Sequence, residues 1–131
     1  MSDTTSSLPR RSTSSFPPPA PSYALRDCII EDTKVRDYLL NLEHKDGAPK
    51  AQFFIAGGFS RDEPAPFTVA LRKHFLENTP ASKDLDRFGG IRITVDAPML
   101  VPDGRTPMVR TVWVIDEGET LPRLVTAYPI D

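Results

Sequence analysis

The sequence predicts an α+β fold, with N-terminal helices packed on one face of a C-terminal antiparallel β-meander of three or four strands. Three observations point there. Apolar residues recur at helical spacing in the first half of the chain, at Val35, Tyr38, Leu39 and Leu42 and again at Phe67, Leu71 and Phe75. From Ile91 onward they alternate with polar residues, as on a strand. Two dense β-forming runs, Met108 to Ile115 and Arg123 to Pro129, are parted by the turn-forming Asp116-Glu117-Gly118-Glu119.

At 131 residues the chain can build one domain with a real core, expected over 25–131. Residues 1–24 hold seven Ser, three Thr and five Pro, with only Leu8, Phe16 and Tyr23 to bury, and read as a disordered tail. A rival reading makes Phe16-Pro17-Pro18-Pro19 a polyproline II docking peptide.

Cys28-Ile29-Ile30 is a short apolar run, an edge strand or a packed lead-in. Asp32 or Thr33 can cap a helix over about 33–43, which would bury the Val35 to Leu42 stripe. Gly47 and Pro49 break that pattern. Pro49 suits a first helical turn and Gly57-Gly58 a C-terminal stop, so 50–56 reads as a short helix. Ser60 and Glu63 have capping-box spacing before a helix over about 63–77, ended by Asn78-Thr79-Pro80. The polar stretch 81–90 reads as an exposed loop. Strands follow over about 90–99, 107–116 and 122–129, the first two joined through Pro102-Asp103-Gly104-Arg105. Alternation sets Met108, Arg110, Val112 and Val114 against Val109, Thr111, Trp113 and Ile115, and Arg123, Val125 and Ala127 against Leu124, Thr126 and Tyr128.

Several functions are disfavoured. One cysteine allows no disulfide within the chain, and with two histidines 30 residues apart there is no zinc pattern, so no metal or cofactor is expected. Nucleotide-binding, serine-hydrolase and zinc-protease motifs are missing. No apolar run reaches the roughly 20 residues of a membrane span, and Arg10-Arg11 lacks the apolar stretch of a Sec signal, so a cytoplasmic protein is expected, with non-Sec export left open. Net charge is −2, and 14 basic against 17 acidic residues remain beyond residue 24, so a broad grip on duplex DNA is not expected.

A resemblance sharpens this reading. The leading helix, then His44, Gly47 and Lys50-Ala51-x-Phe53-Phe54, then Pro102-Asp103-Gly104-Arg105, Val109 to Ile115 and Pro122-Arg123-Leu124-Val125-Thr126-Ala127-Tyr128-Pro129 resemble a family of small bacterial domains of unknown function over about 33–130. More distantly, helices followed by an antiparallel sheet with such a last strand are similar to the barnase, EndoU, colicin and RelE group of ribonuclease toxins. That resemblance implies metal-independent RNA cleavage, with a cognate inhibitor protein as partner. Its site would draw on His44 as acid or base, Lys50, Arg110 and Arg123 on the phosphate, and Thr126 and Tyr128 as donors or proton carriers. The alternative is a non-catalytic protein-interaction module of a two-protein bacterial system, toxin/antitoxin-like or phage-related, with the arginines as interface anchors.

Ordinary structural roles compete with each assignment. His44 can sit on the end of the preceding helix, Lys50 can be a solvated helix-start lysine, and both arginines can pair with acids on neighbouring strands. Trp113 reads as core, with base stacking as its alternative, and His74 reads as a surface residue.

Overall fold

The computed structural model describes residues 27–130, so the tail expected over 1–24 lies outside the described residues. Helices come first and strands second. Asp32–Lys34 (α1) runs into a π-helical turn over Val35–Leu39, followed by Ala48–Ala56 (α2) and Ala65–Leu76 (α3). The strands are Ser82–Leu85 (β1), Ile91–Pro98 (β2), Met108–Ile115 (β3) and Arg123–Pro129 (β4), one antiparallel sheet in the order β1-β2-β3-β4.

The first helix ends earlier than its periodicity implies. Leu40 N–H bonds to the carbonyl of Val35 at 2.9 Å, a five-residue closure, and Leu40 then leaves helical geometry. Val35, Leu39 and Leu40 are therefore the buried set, and Leu42 turns outward. Its N-cap is Glu31, without a side-chain cap, so neither Asp32 nor Thr33 serves.

α2 starts with Pro49 in its first turn, where a missing N–H costs nothing. It stops at Gly57, and Gly58 takes the positive φ of 112° that a helix exit commonly needs. Pro64 is the N-cap of α3 and no capping box forms: the Ser60 hydroxyl accepts the Asp62 N–H instead. Phe67 and Phe54 meet at 4.6 Å between ring centroids, and Phe59 reaches Phe67 at the same distance.

The sheet departs from the expected pattern twice. β1 lies in the stretch 81–90 read as a loop; all four of its residues are exposed, so no apolar alternation marked it. In β4 the register slips: Val112 faces Thr126, but Trp113 faces Leu124, leaving Val125 as the extra residue of a bulge. Strict alternation through 123–128 fails for that reason, and Leu124 and Ala127 are both buried. Residue 29 meets the start of β4, with Ile29 N–H bonded to the Pro122 carbonyl at 2.8 Å and Leu124 N–H to the Ile29 carbonyl at 2.9 Å.

One apolar cluster joins Val35, Leu39, Leu40, Phe54, Phe67, Leu71 and Phe75 to Ile93, Val95, Val109, Trp113, Leu124 and Ala127. Val112 and Val114, at the alternate positions of β3, are also buried but lie outside that cluster. Trp113 is fully buried against Phe75, 4.7 Å between centroids, which removes it as a base-stacking surface.

His74 corrects its surface assignment, being only 3% exposed. Its Nε2 lies 3.0 Å from the carbonyls of both Ala97 and Val109, which only accept, so Nε2 carries the proton. Nδ1 then accepts from the Thr111 hydroxyl at 2.9 Å, and the Thr111 oxygen accepts from Trp113 Nε1 at 2.8 Å. A neutral imidazole thus completes a directional chain from Trp113 to two strand carbonyls. The i, i+4 stripe of Phe67, Leu71 and Phe75 did not reveal it, although His74 adjoins Phe75 on the buried side of α3.

Burial holds the His74 imidazole below its ordinary value near 6.5, against the raising pull of the two carbonyls and Asp96. The unfolded chain takes up a proton near pH 6.5 that the folded chain refuses. His74's share of stability is complete above that pH and is lost as pH falls toward the folded value. The lowered carboxylates of Asp96, Asp103 and Asp116 lose theirs only below the ordinary value near 3.8. Urea midpoints are therefore expected to drop between about pH 7 and pH 5 in the wild type, and to drop less in His74→Gln. Equal drops in the two proteins would assign the dependence to other groups.

Candidate functional site

Three of the six expected site residues meet around a residue that periodicity had assigned to packing. Tyr38 is the next-to-last residue of the π-helical turn, just before the buried pair Leu39 and Leu40, and is half-buried at the margin of the core. Its hydroxyl accepts from Lys50 Nζ at 2.6 Å and lies 3.4 Å from the Thr126 hydroxyl. The His44 ring meets the Tyr38 ring edge-on, 4.9 Å between centroids, and Lys34 Nζ lies 5.0 Å from the centre of the phenol ring.

Local structure explains the convergence. The turn after Leu40 folds the chain back so that His44 Nδ1 accepts the N–H groups of Asp46 and Gly47, each at 3.0 Å. Both donors occupy Nδ1, so Nε2 carries the imidazole proton. Gly47 is packed against Tyr38, and a Cβ there would collide with the Tyr38 carbonyl oxygen, so a side chain at 47 would displace the phenol. α2 then brings Lys50 over the phenol from one side while β4 supplies Thr126 from the other.

Burial pushes the Tyr38 phenol up, but the hydrogen bonds from Lys50 and Thr126, with the charges of Lys50 and Lys34, outweigh it and bring the phenol below its ordinary value. Such a phenol gives up its proton more readily than a free tyrosine.

The other three expected residues lie along the sheet. By register Tyr128 faces Arg110, Thr126 faces Val112 and Arg123 faces Val114, all alternate positions of β3. Arg110 and Arg123 therefore share a face, but four residues apart, roughly 13 Å along the strand. Each is engaged by an aspartate: Arg110 by Asp96 at 2.7 and 2.8 Å, Arg123 by Asp116 at 3.0 Å twice. Asp96, and after it Tyr128, holds the Arg110 guanidinium above its ordinary value, so it stays charged. The structure brings His44, Lys50 and Thr126 together, places Arg110 and Tyr128 one same-face row along from Thr126, and sets Arg123 at the other end of the strand.

Tyr38 was missed because its spacing served the helix stripe equally well. Cys28 lies apart from this group, and burial pushes its thiol up to about 11, an unreactive state near neutral pH. Among the described residues, no group of three or more His, Cys, Asp or Glu side chains gathers as a metal ion would need, and no helix is long and apolar enough to cross a membrane.

A family described as Domain of unknown function (DUF6883) matches residues 24–131. No curated protein matches the chain. Among solved structures, a chain of "Contact-dependent growth inhibition toxin - immunity protein complex from Klebsiella pneumoniae 342" is similar in fold, with a TM-score of 0.61 and 14% identity over 84% of this chain and 99% of that chain. At that identity the likeness is one of fold.

Proposed function

The chain belongs to the DUF6883 family, whose description assigns no chemistry, and from the site itself we propose that it is a metal-independent ribonuclease of bacterial toxin type. The observation that carries this reading is the gathering of Lys50, Thr126 and His44 at the Tyr38 phenol. In this reading the helices cover one face of the sheet, and the opposite face, with Arg110, Tyr128 and Arg123, receives the RNA.

Cleavage needs a base for the 2′-hydroxyl proton, an acid for the departing 5′-oxygen and donors for charge on the phosphate. The 2′-oxygen bonds to the adjacent phosphorus as the bond from phosphorus to the 5′-oxygen breaks. Tyr38, as the phenolate that Lys50 and Lys34 favour, takes the 2′-proton and becomes the phenol. The Lys50 ammonium gives a proton to the 5′-oxygen and regains one through its bond to Tyr38, and the neutral His44 ring donates an Nε2–H hydrogen bond to the phosphate. Lys50 has two N–H donors left after Tyr38 and directs them at the phosphate. Thr126 keeps its one O–H on the Tyr38 oxygen, Tyr128 donates to the phosphate oxygens, and Arg110, fixed by Asp96, adds a constant positive charge.

The test is incubation of purified protein with total RNA in EDTA, beside Arg110→Ala and Tyr128→Phe. Cleavage by the wild type, slowed about tenfold or more in each variant, is expected. Absence of cleavage, or equal cleavage by all three, would sink the assignment.

One observation favours the second reading, a protein-interaction module. Between α3 and the β2–β3 connection lies an apolar groove of about 610 Å³, lined by Val69 (63% exposed), Leu100 (65% exposed), Met99 and Pro102. In a toxin the same groove would serve a cognate inhibitor; the solved structure of similar fold comes from a complex of a toxin with its immunity protein. Growth arrest on cytoplasmic expression, relieved by a co-expressed partner, supports a toxin without naming its substrate.

A further inference from the structure

Beyond the Tyr38 group, the outer end of the sheet presents an aromatic and cationic pocket that the chemistry above does not use. Its volume is about 670 Å³, and Phe88, Arg87, Arg92, Arg123, Val114 and Val125 line it. Phe88 is 74% exposed, an apolar ring held in solvent at the turn between β1 and β2. Arg87 lies against that ring, 5.0 Å from its centre. Among the described residues nothing engages the Arg92 guanidinium. The acids are otherwise occupied or apart: Asp86 accepts the Phe88 N–H, Asp116 holds Arg123, and Asp84, opposite Arg92 on β1, is exposed and makes no ion pair with it. Asp86 and Asp116 line the pocket too, so its three arginines leave a net charge of one positive beside an open aromatic face.

The pocket is in register with the proposed site. Arg92, Val114 and Arg123 form one cross-strand row, and Thr94, Val112 and Thr126 form the next row on the same face. Two residues of strand separate them, about 7 Å, a spacing that neighbouring nucleotides of one extended strand can bridge. A ring in solvent suits the flat face of an unpaired base, whereas a duplex hides those faces in its own stack.

We propose that Phe88, Arg92 and Arg123 form a second subsite for one unpaired nucleotide, the base stacked on Phe88 and the phosphate on Arg92, so that the substrate is single-stranded RNA. This rests on the ribonuclease reading above, and the test separates the two. Binding of a fluorescent 2′-O-methyl oligoribonucleotide of about eight nucleotides, which offers no 2′-hydroxyl to attack, is measured by anisotropy on the full chain, with the matching duplex as competitor. Phe88→Ala is expected to weaken binding about tenfold, and Phe88→Tyr, which keeps the ring, by less than about twofold. Arg92→Ala is expected to lower the slope of log affinity against log salt by about 0.7, one phosphate contact. Both side chains are exposed, so thermal unfolding should coincide with wild type. Cleavage of total RNA with Phe88→Ala binding unchanged would overturn the subsite and leave the ribonuclease. Ring-dependent binding without any cleavage would keep the subsite and overturn the ribonuclease. Preference for the duplex, or no binding by the wild type, overturns the subsite and points to a protein contact at this patch.

Discussion

Replacing His74 by alanine is expected to lower the free energy of unfolding by about 3–5 kcal/mol, a large share of the roughly 5–15 kcal/mol that holds a typical domain together. Two terms add. A ring 3% exposed leaves a cavity that the Phe67, Leu71, Phe75 layer cannot close without moving. The Thr111 hydroxyl loses its acceptor, and the Ala97 and Val109 carbonyls lose the donor they shared, at about 1–3 kcal/mol for each buried group left unpaired. The urea midpoint should fall with the denaturant slope unchanged. His74→Gln, which can still donate to one carbonyl, should fall less. A loss below about 1 kcal/mol in the alanine variant would show that water replaces the ring at little cost, against the directional chain described here.

Lys50→Ala is expected to slow RNA cleavage on the order of 10²–10³-fold, and Tyr38→Phe about 10²-fold, with unfolding midpoints near wild type because both side chains are only half-buried. The two losses should not multiply, since Lys50 acts in part by lowering the Tyr38 phenol. The double variant should therefore sit close to the worse single one. A pH profile adds a readout that a structural role would not move. Without Lys50 the phenol rises, so the ascending limb of kcat/KM should shift to higher pH in Lys50→Ala and vanish in Tyr38→Phe. Wild-type rates in Tyr38→Phe would remove the phenol from the chemistry, whatever the other residues do.

The helix-first order and the three long strands were legible because they are written in apolar spacing, which depends on neighbours in sequence. Where side chains gave no such signal the reading failed. β1 is a strand without a buried residue, held by its ladder to β2. The π closure at Leu40 moved the buried position from 42 to 40, a choice made by the fit of Leu40 in the core. The bulge at Val125 reset which β4 residues face the core, and only pairing with β3 could reveal it. For the candidate site, residue types named His44, Lys50 and Thr126, but Tyr38 looked like any amphipathic helix position until Lys50 and Thr126 were seen to meet its hydroxyl from two other elements.

By itself the sequence determined the α+β class, the family, and the supply of lysine, histidine, threonine and tyrosine near the ends of the chain's elements, because periodicity and composition are local properties. The tertiary structure alone decided that His74 is a buried core donor, that Arg110 and Arg123 share a face but stand four strand positions apart on separate aspartates, and that Tyr38 is the centre of the polar group. Those outcomes depend on strand register and on contacts 12 to 88 residues apart in the chain, which no local pattern encodes.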